Sequence, residues 1–241
     1  MPALAQVAVM PFRFPTMELR IDVDPGIWKP GDELDVLYGR MRDPADRLFE
    51  MPEVRTAHPG LVLRWRSADG EYYVYVEDRA RGCLAGYTVF NRLIEVSRQA
   101  DRHLRAPHSR YAPAYQRRGI ASLVYRWALD GGLCLLSGAR QSPGAHALWG
   151  ALARDYPCTY VALRRKTLTL LGSQVDETLR ADLHTRLMMA GSGWTMDALC
   201  RAVGMPAGPG GEAEDARAAH RFGASVAYPP CSSATARRPP G

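Results

Sequence analysis

Glu18 to Val23 alternates polar and apolar residues as a half-buried strand does, and Pro25-Gly26 ends the run. Asp32 to Gly39 and Pro44 to Glu50 carry helical spacing, the second opened by Asp43 as a cap before Pro44. Leu61 to Arg66 and Glu71 to Glu77 are β-rich runs separated by Ser67-Ala68-Asp69-Gly70. That is a hairpin signal, because Gly70 accepts the positive φ such a turn requires. Arg79 to Gly82 makes a second tight connection into Cys83 to Asn91, so residues 61–91 read as an antiparallel meander of three strands. Arg92 to Asp101 is polar and reads as a loop, or as an extension of the hairpin into the next strand, Leu104 to Tyr111.

Beyond residue 111 strand and helix alternate. Ile120, Leu123, Val124 and Trp127 form one apolar stripe at i, i+3, i+4 and i+7, and Gly131-Gly132 closes that helix. Leu133 to Ser137 is a short buried-strand run, followed by a helix carrying Ala145, Leu148, Trp149 and Leu152 on one stripe. Thr159 to Leu163 reads as a strand with Thr167 to Leu171 as its partner, while Asp176 to Met189 and Thr195 to Val203 read as helices. The class is α/β of the mixed α+β kind, with a central, mostly antiparallel sheet and helices on both faces. From about residue 206 the chain is rich in Pro, Gly and Ala and is expected to be disordered, since it offers too little apolar area to order itself.

Composition narrows the class. At 241 residues with 46% hydrophobic side chains the chain can build a sizeable core without staples. The five cysteines Cys83, Cys134, Cys158, Cys200 and Cys231 show no close pairing of the kind zinc ribbons or redox motifs use, so reduced thiols and no metal are expected. No run approaches a membrane span, and the apolar start from Ala3 to Met10 lacks a basic flank and meets Pro11, so no membrane association and a cytoplasmic address are expected. The net charge of +6 is concentrated in residues 61–140, where 13 basic side chains face 7 acidic ones. Such a stretch suits nucleic acid, an acidic partner, a phosphorylated cofactor or plain solvent, and nucleic acid is not favoured.

One segment carries chemistry. Tyr111-Ala112-Pro113-Ala114-Tyr115-Gln116-Arg117-Arg118-Gly119-Ile120-Ala121-Ser122 stands where a strand ends and a helix begins. Free N–H groups at a helix start, backed by the positive end of its dipole, make an anion site. Gly119 and Ala121 let phosphates approach the backbone, and Arg117 and Arg118 add charge. Gln116-x-x-Gly119-x-Ala121 resembles the (Arg/Gln)-x-x-Gly-x-(Gly/Ala) pyrophosphate loop of the GNAT superfamily of acyl-CoA-dependent N-acyltransferases, and Pro113 stands where that family often has proline. The order of strands and helices around the loop resembles the family well over residues 60–165 and loosely over 17–60. A P-loop or Rossmann reading fails, since neither glycine spacing is present.

The resemblance implies a GNAT-like acyltransferase domain, taken as residues 1–172, and the sequence pattern adds a C-terminal helical extension over 173–205 and the tail over 206–241. It implies acetyl-CoA, or another acyl-CoA, as cosubstrate and an amine as acceptor, attacked directly. Ser109, Tyr111, Gln116, Arg117, Arg118, Gly119, Ile120, Ala121 and Ser122 would hold the cofactor. The strand ending at Ser109, Arg110 and Tyr111 would splay from 133–137, with an N–H near Arg110 or Tyr111 beside the thioester oxygen. Ser142 stands where the family often has Asn, and reads both as a helix cap and as a cofactor contact. Where many members carry a tyrosine acid this chain has Trp149, whose indole has no usable proton. Tyr156, Tyr160 and Tyr125 are then the acid candidates, and His108, His103, Glu95 and Asp101 the base candidates, with His108 nearest to the expected chemistry. His146 reads as exposed. A non-catalytic acyl-CoA-binding module and an acyltransferase for a nucleic-acid-linked amine are the alternatives, and the 176–203 segment reads as a substrate lid or a homodimer contact.

Overall fold

The computed structural model describes residues 30–205. The strand expected over Glu18 to Val23, the tail beyond residue 205 and Cys231 lie outside the described residues. The described part begins with helix α1 (Pro30–Met41), whose Leu34, Leu37 and Met41 are buried at helical spacing. The helix expected over Pro44 to Glu50 is instead a run of turns. The carboxylates divert its backbone: Asp43 accepts from the N–H of Ala45 at 2.9 Å and Asp46 from that of Leu48 at 2.9 Å, and Glu50 ends the run at φ 54°.

Strands β1 (Glu53–Arg55), β2 (Leu61–Ala68), β3 (Glu71–Asp78) and β4 (Cys83–Asn91) follow as an antiparallel meander. Asp69 and Gly70 turn the first expected hairpin at φ 52° and 80°. The polar connection contains the short helix α2 (Arg98–Asp101), capped by Ser97, before β5 (Leu104–Tyr111). Helix α3 (Ile120–Asp130), strand β6 (Cys134–Leu136), helix α4 (Pro143–Leu152) and strands β7 (Cys158–Arg164) and β8 (Thr167–Gly172) come in the expected order.

Asp176 to Met189 departs from the expected helix. It forms a short helix α5 (Glu177–Ala181) and then strand β9 (Thr185–Met189), before helix α6 (Met196–Ala202). All five residues of β9 are buried. A strand covered on both faces loses its alternation, and its sequence then cannot be told from a buried helix. The segment 173–205 therefore contributes a strand to the central sheet besides its helices.

Among the described residues the sheet has nine strands in the order β1-β2-β3-β4-β5-β6-β9-β7-β8, antiparallel throughout except for β5 against β6. Alternation along the strands divides its side chains between two faces. On one face Leu63, Val74, Phe90, Leu135 and Met189 meet Ile120, Val124 and Leu129 of α3 and Trp149 and Leu152 of α4. On the other, Tyr75, Tyr87 and Val89 meet α1, while Leu104, Leu136, Val161 and Met188 meet α2 and α6.

Candidate functional site

Among the described residues the one parallel pair in the sheet is also a short one. β5 and β6 pair only at Leu104 with Cys134 and Arg105 with Leu135, whereas β5 continues to Tyr111 against β4 on its other side. From Ala106 onward, β5 presents its second edge to a widening cleft. Which groups line that edge follows from the register. Ala112 donates its N–H to Ala85 at 3.0 Å, so Arg110, His108 and Ala106 also turn their amides toward β4. The N–H and C=O groups of Ser109 and Tyr111 therefore face the cleft. Pro107 lies on the same edge, where a missing N–H breaks no ladder bond.

A 3₁₀ turn over Pro113–Tyr115 carries the chain from β5 to α3. Tyr115 anchors it: the ring is buried, its hydroxyl donates to Asp78 at 2.7 Å and lies 3.3 Å from the Cys83 sulfur, and the guanidinium groups of Arg118 and Arg81 sit 5.5 and 5.6 Å from its centre. Gln116 turns back and its amide donates to the Tyr111 carbonyl at 3.0 Å. Arg117 at φ 58° and Gly119 at φ 76° swing the backbone into the first turn of α3. No side chain caps that turn, although α2, α4, α5 and α6 are capped by Ser97, Ser142, Asp176 and Thr195. A Cβ placed on Gly119 would meet nothing within 4 Å. The helix start, with its unsatisfied N–H groups at Ile120, Ala121 and Ser122 and exposed Arg117 and Arg118 beside it, thus opens onto free space of the kind a phosphate would fill.

Behind the β5 edge, on the α3 face, lies a cluster of hydroxyls. Thr88 is fully buried, with its Oγ1 2.8 Å from Ser109 Oγ and 3.0 Å from the Tyr111 hydroxyl. The Tyr125 hydroxyl interacts with Ser109, and burial holds its pKa above the ordinary tyrosine value. Gly86 permits this arrangement, since a Cβ there would lie 2.4 Å from both the Arg110 oxygen and the Tyr111 ring. Trp149 is buried at 2% exposure in the core under this cluster and meets Tyr125 edge-on at 6.2 Å.

The opposite face holds the other half of the site. His108 and Arg110 point toward α1, where Glu33 receives both Arg110 and the Tyr87 hydroxyl, the latter at 2.7 Å. Partial desolvation and the Arg110 charge hold the pKa of His108 below the ordinary histidine value, with Glu33 opposing them. The remaining candidates are elsewhere. Tyr156 donates to Asp130 at 2.6 Å, at the far end of α3 from Gly119, and burial followed by that bond raises its pKa. Tyr160 is on β7, separated from β6 by β9. Asp101 is committed to Arg92 at 2.9 Å, His103 packs against Trp194, and Glu95 and His146 are exposed. Ser142 accepts from the Ala145 N–H at 3.2 Å and so caps α4. The sequence alone did not single out Asp78, Gly86, Thr88 or Tyr115, because each acts through a partner distant along the chain.

No family model matches the chain, and no curated protein matches it. Among solved structures it is similar to a GNAT superfamily phosphinothricin acetyltransferase from Sinorhizobium meliloti in complex with acetyl-CoA: 21% identity, TM-score 0.32, covering 52% of this chain and 63% of that one. It is also similar to a mutant of the spermidine N-acetyltransferase SpeG from Vibrio cholerae, at 18% identity and TM-score 0.30, covering 51% of this chain and 64% of that one. A third is yncA, a putative acetyltransferase from Salmonella typhimurium with its cofactor acetyl-CoA, at 16% identity and TM-score 0.31, covering 50% and 63%. The chain thus spans less than two thirds of the length of each. What the site can do is decided by its own geometry.

Proposed function

We propose that this chain is an acyl-CoA-dependent N-acyltransferase that moves an acetyl group to a primary amine by direct attack. One observation carries the reading: β5 parts from β6 after two paired residues, and its open edge leads straight into an uncapped helix start at Gly119. A pantetheine-like arm is an extended chain with amides, which an unpaired strand edge can bind as it would another strand. The N–H groups from Gly119 to Ser122 suit a pyrophosphate. Acyl-CoA, when bound, supplies the acyl group as an activated thioester.

Of Arg110 and Tyr111 it is Tyr111 whose N–H faces the cleft, as that of Ser109 does, and this supports Tyr111 rather than Arg110 as the donor for the carbonyl oxygen. Such a donor stabilises developing negative charge by about 3 kcal/mol. His108 is the base. Its side chain is exposed on the face opposite α3, and its lowered pKa favours the neutral imidazole that can take the proton of the attacking amine. With Trp149 in place of a tyrosine and Tyr156 held by Asp130, Tyr125 is the hydroxyl that can supply a proton to the leaving thiolate, by way of Ser109.

Gly119→Glu tests the assignment. Calorimetry with CoA should show binding to the wild type and none to the variant, with thermal unfolding only slightly changed, because the new side chain fills open space and repels phosphate. Equal affinity in the two proteins would sink the proposal.

A further inference from the structure

Four charged side chains are buried among the described residues: Glu77, Asp78, Asp101 and Arg186. The three acids are answered, Glu77 by Arg64 at 2.7 Å, Asp78 by the Tyr115 hydroxyl and Asp101 by Arg92. Arg186, on β9 and 6% exposed, has no carboxylate within ion-pair distance among those residues. Its Nη1 donates to the carbonyl oxygens of Leu183 and Thr185, the latter at 3.1 Å. Its Nε is buried without a partner, and the hydrogen bonds of its guanidinium are those of Nη1 alone. A buried guanidinium whose charge meets carbonyl oxygens but no carboxylate, and whose Nε finds no acceptor, is unfavourable.

The geometry says what would answer it. With Nη1 occupied, the free side of the guanidinium is the edge formed by Nε and Nη2, two parallel N–H donors at the spacing of a carboxylate's two oxygens. Ser137 donates to the Leu187 carbonyl at 2.8 Å, so the register places Arg186 opposite Gly138, just past the end of β6, where the cleft opens. Arg186 shares the parity of Met188, which puts it on the face of α2 and α6, the face His108 also uses. The imidazole on β5 and the guanidinium on β9 therefore lie on one face of the sheet on either side of the cleft, with β6 between their strands. We infer that the acceptor amine also carries a carboxylate, bound side-on by the Nε and Nη2 groups of Arg186, which turns its amino group toward His108. The inference rests on the acyltransferase reading and names its substrate class.

Acetyl-CoA turnover on α- and ω-amino acids, each measured beside its own carboxamide, tests it. The wild type should prefer at least one acid over its amide by about 10²-fold in kcat/KM, because the amide leaves the buried guanidinium unanswered. In Arg186→Lys, which keeps the charge and loses the fork, and in Arg186→Gln that ratio should fall to within a few-fold of one, with the loss residing in KM for the acid. Turnover of amides and simple amines as efficient as that of every acid would overturn the inference and leave the acyltransferase reading standing. If no amine is acetylated although acetyl-CoA binds, the acyltransferase reading falls. Calorimetry of the same acids against wild type then still decides the site: binding of an acid but not of its amide supports it, and equal or absent binding of both removes it.

Discussion

His108 and Tyr125 lie on opposite faces of the sheet, so the two proton transfers of the proposed reaction use separate routes. A base whose pKa is depressed is already deprotonated at neutral pH. The acidic limb of kcat/KM for acetyl transfer should therefore lie below the ordinary histidine value of about 6.5. His108→Gln should abolish that limb and lower kcat by about 10²-fold, and a pH profile identical to wild type would remove His108 from the reaction. Tyr125→Phe keeps the ring that Trp149 packs against and deletes only the hydroxyl. It should lower kcat by about 10²-fold while acetyl-CoA affinity holds, as titration of the variant would show. His108, Ser109, Tyr111 and Gly119, to which the proposal gives roles, stand out in the sequence because the strand-to-helix motif that singles them out lies within a few residues of each. Tyr115 was legible only as part of a motif. Its anchoring bond to Asp78 spans 37 positions, and no local pattern records such a pairing. Arg186 looks in sequence like any other arginine of an arginine-rich chain.

The start of β5 is fixed by α2, a helix of one turn. Asp101 at its end takes Nε of Arg92 at 2.9 Å and the N–H of Leu93 at 2.8 Å, which together knot the β4 exit to the β5 entry. Burial alone would raise the carboxyl pKa, but the hydrogen bonds from Arg92 and Leu93 outweigh it and hold it below the ordinary aspartate value. The unfolded chain then binds the proton more readily, so this contribution is present above the unfolded pKa of about 4 and is lost as pH falls through the lower folded one. Asp101→Ala should destabilise the protein by about 2 kcal/mol at pH 7, with the difference from wild type shrinking in denaturant titrations carried toward pH 3. A constant difference across that range would show that the carboxylate's charge plays no part. The long amphipathic helices α3 and α4 and the meander were legible because period and turn residues agreed. The 44–50 turns and β9 were not, the first because Asp43 and Asp46 divert a helical pattern, the second because complete burial erases the alternation that marks a strand.

Taken whole, the molecule is two antiparallel sheets joined along β5 and β6, and the join is where the chemistry is proposed. The nine-strand assembly was only partly legible: the meander and the hairpin of β7 with β8 are nearest-neighbour pairings, whereas the place of β9 between β6 and β7 depends on contacts such as Leu187 to Ser137, 50 positions apart. Removing residues 182–205 should therefore do more than shorten the protein. It uncovers the facing edges of β6 and β7, and the shortened chain is expected to aggregate on expression, whereas a soluble monomer on gel filtration would show that the edges protect themselves. The same insertion orders events in time. During synthesis β2 to β4 can zip up as soon as each leaves the ribosome, but β6 and β7 must wait apart, with a gap one strand wide, until Thr185–Met189 emerges to fill it. Pulse-labelled hydrogen exchange during refolding should then find the amides of β3 and β4 protected first and those of β9 last. The Arg186 edge would come into being only at that final step, so the nascent protein could grip a thioester arm before it could recognise an acceptor.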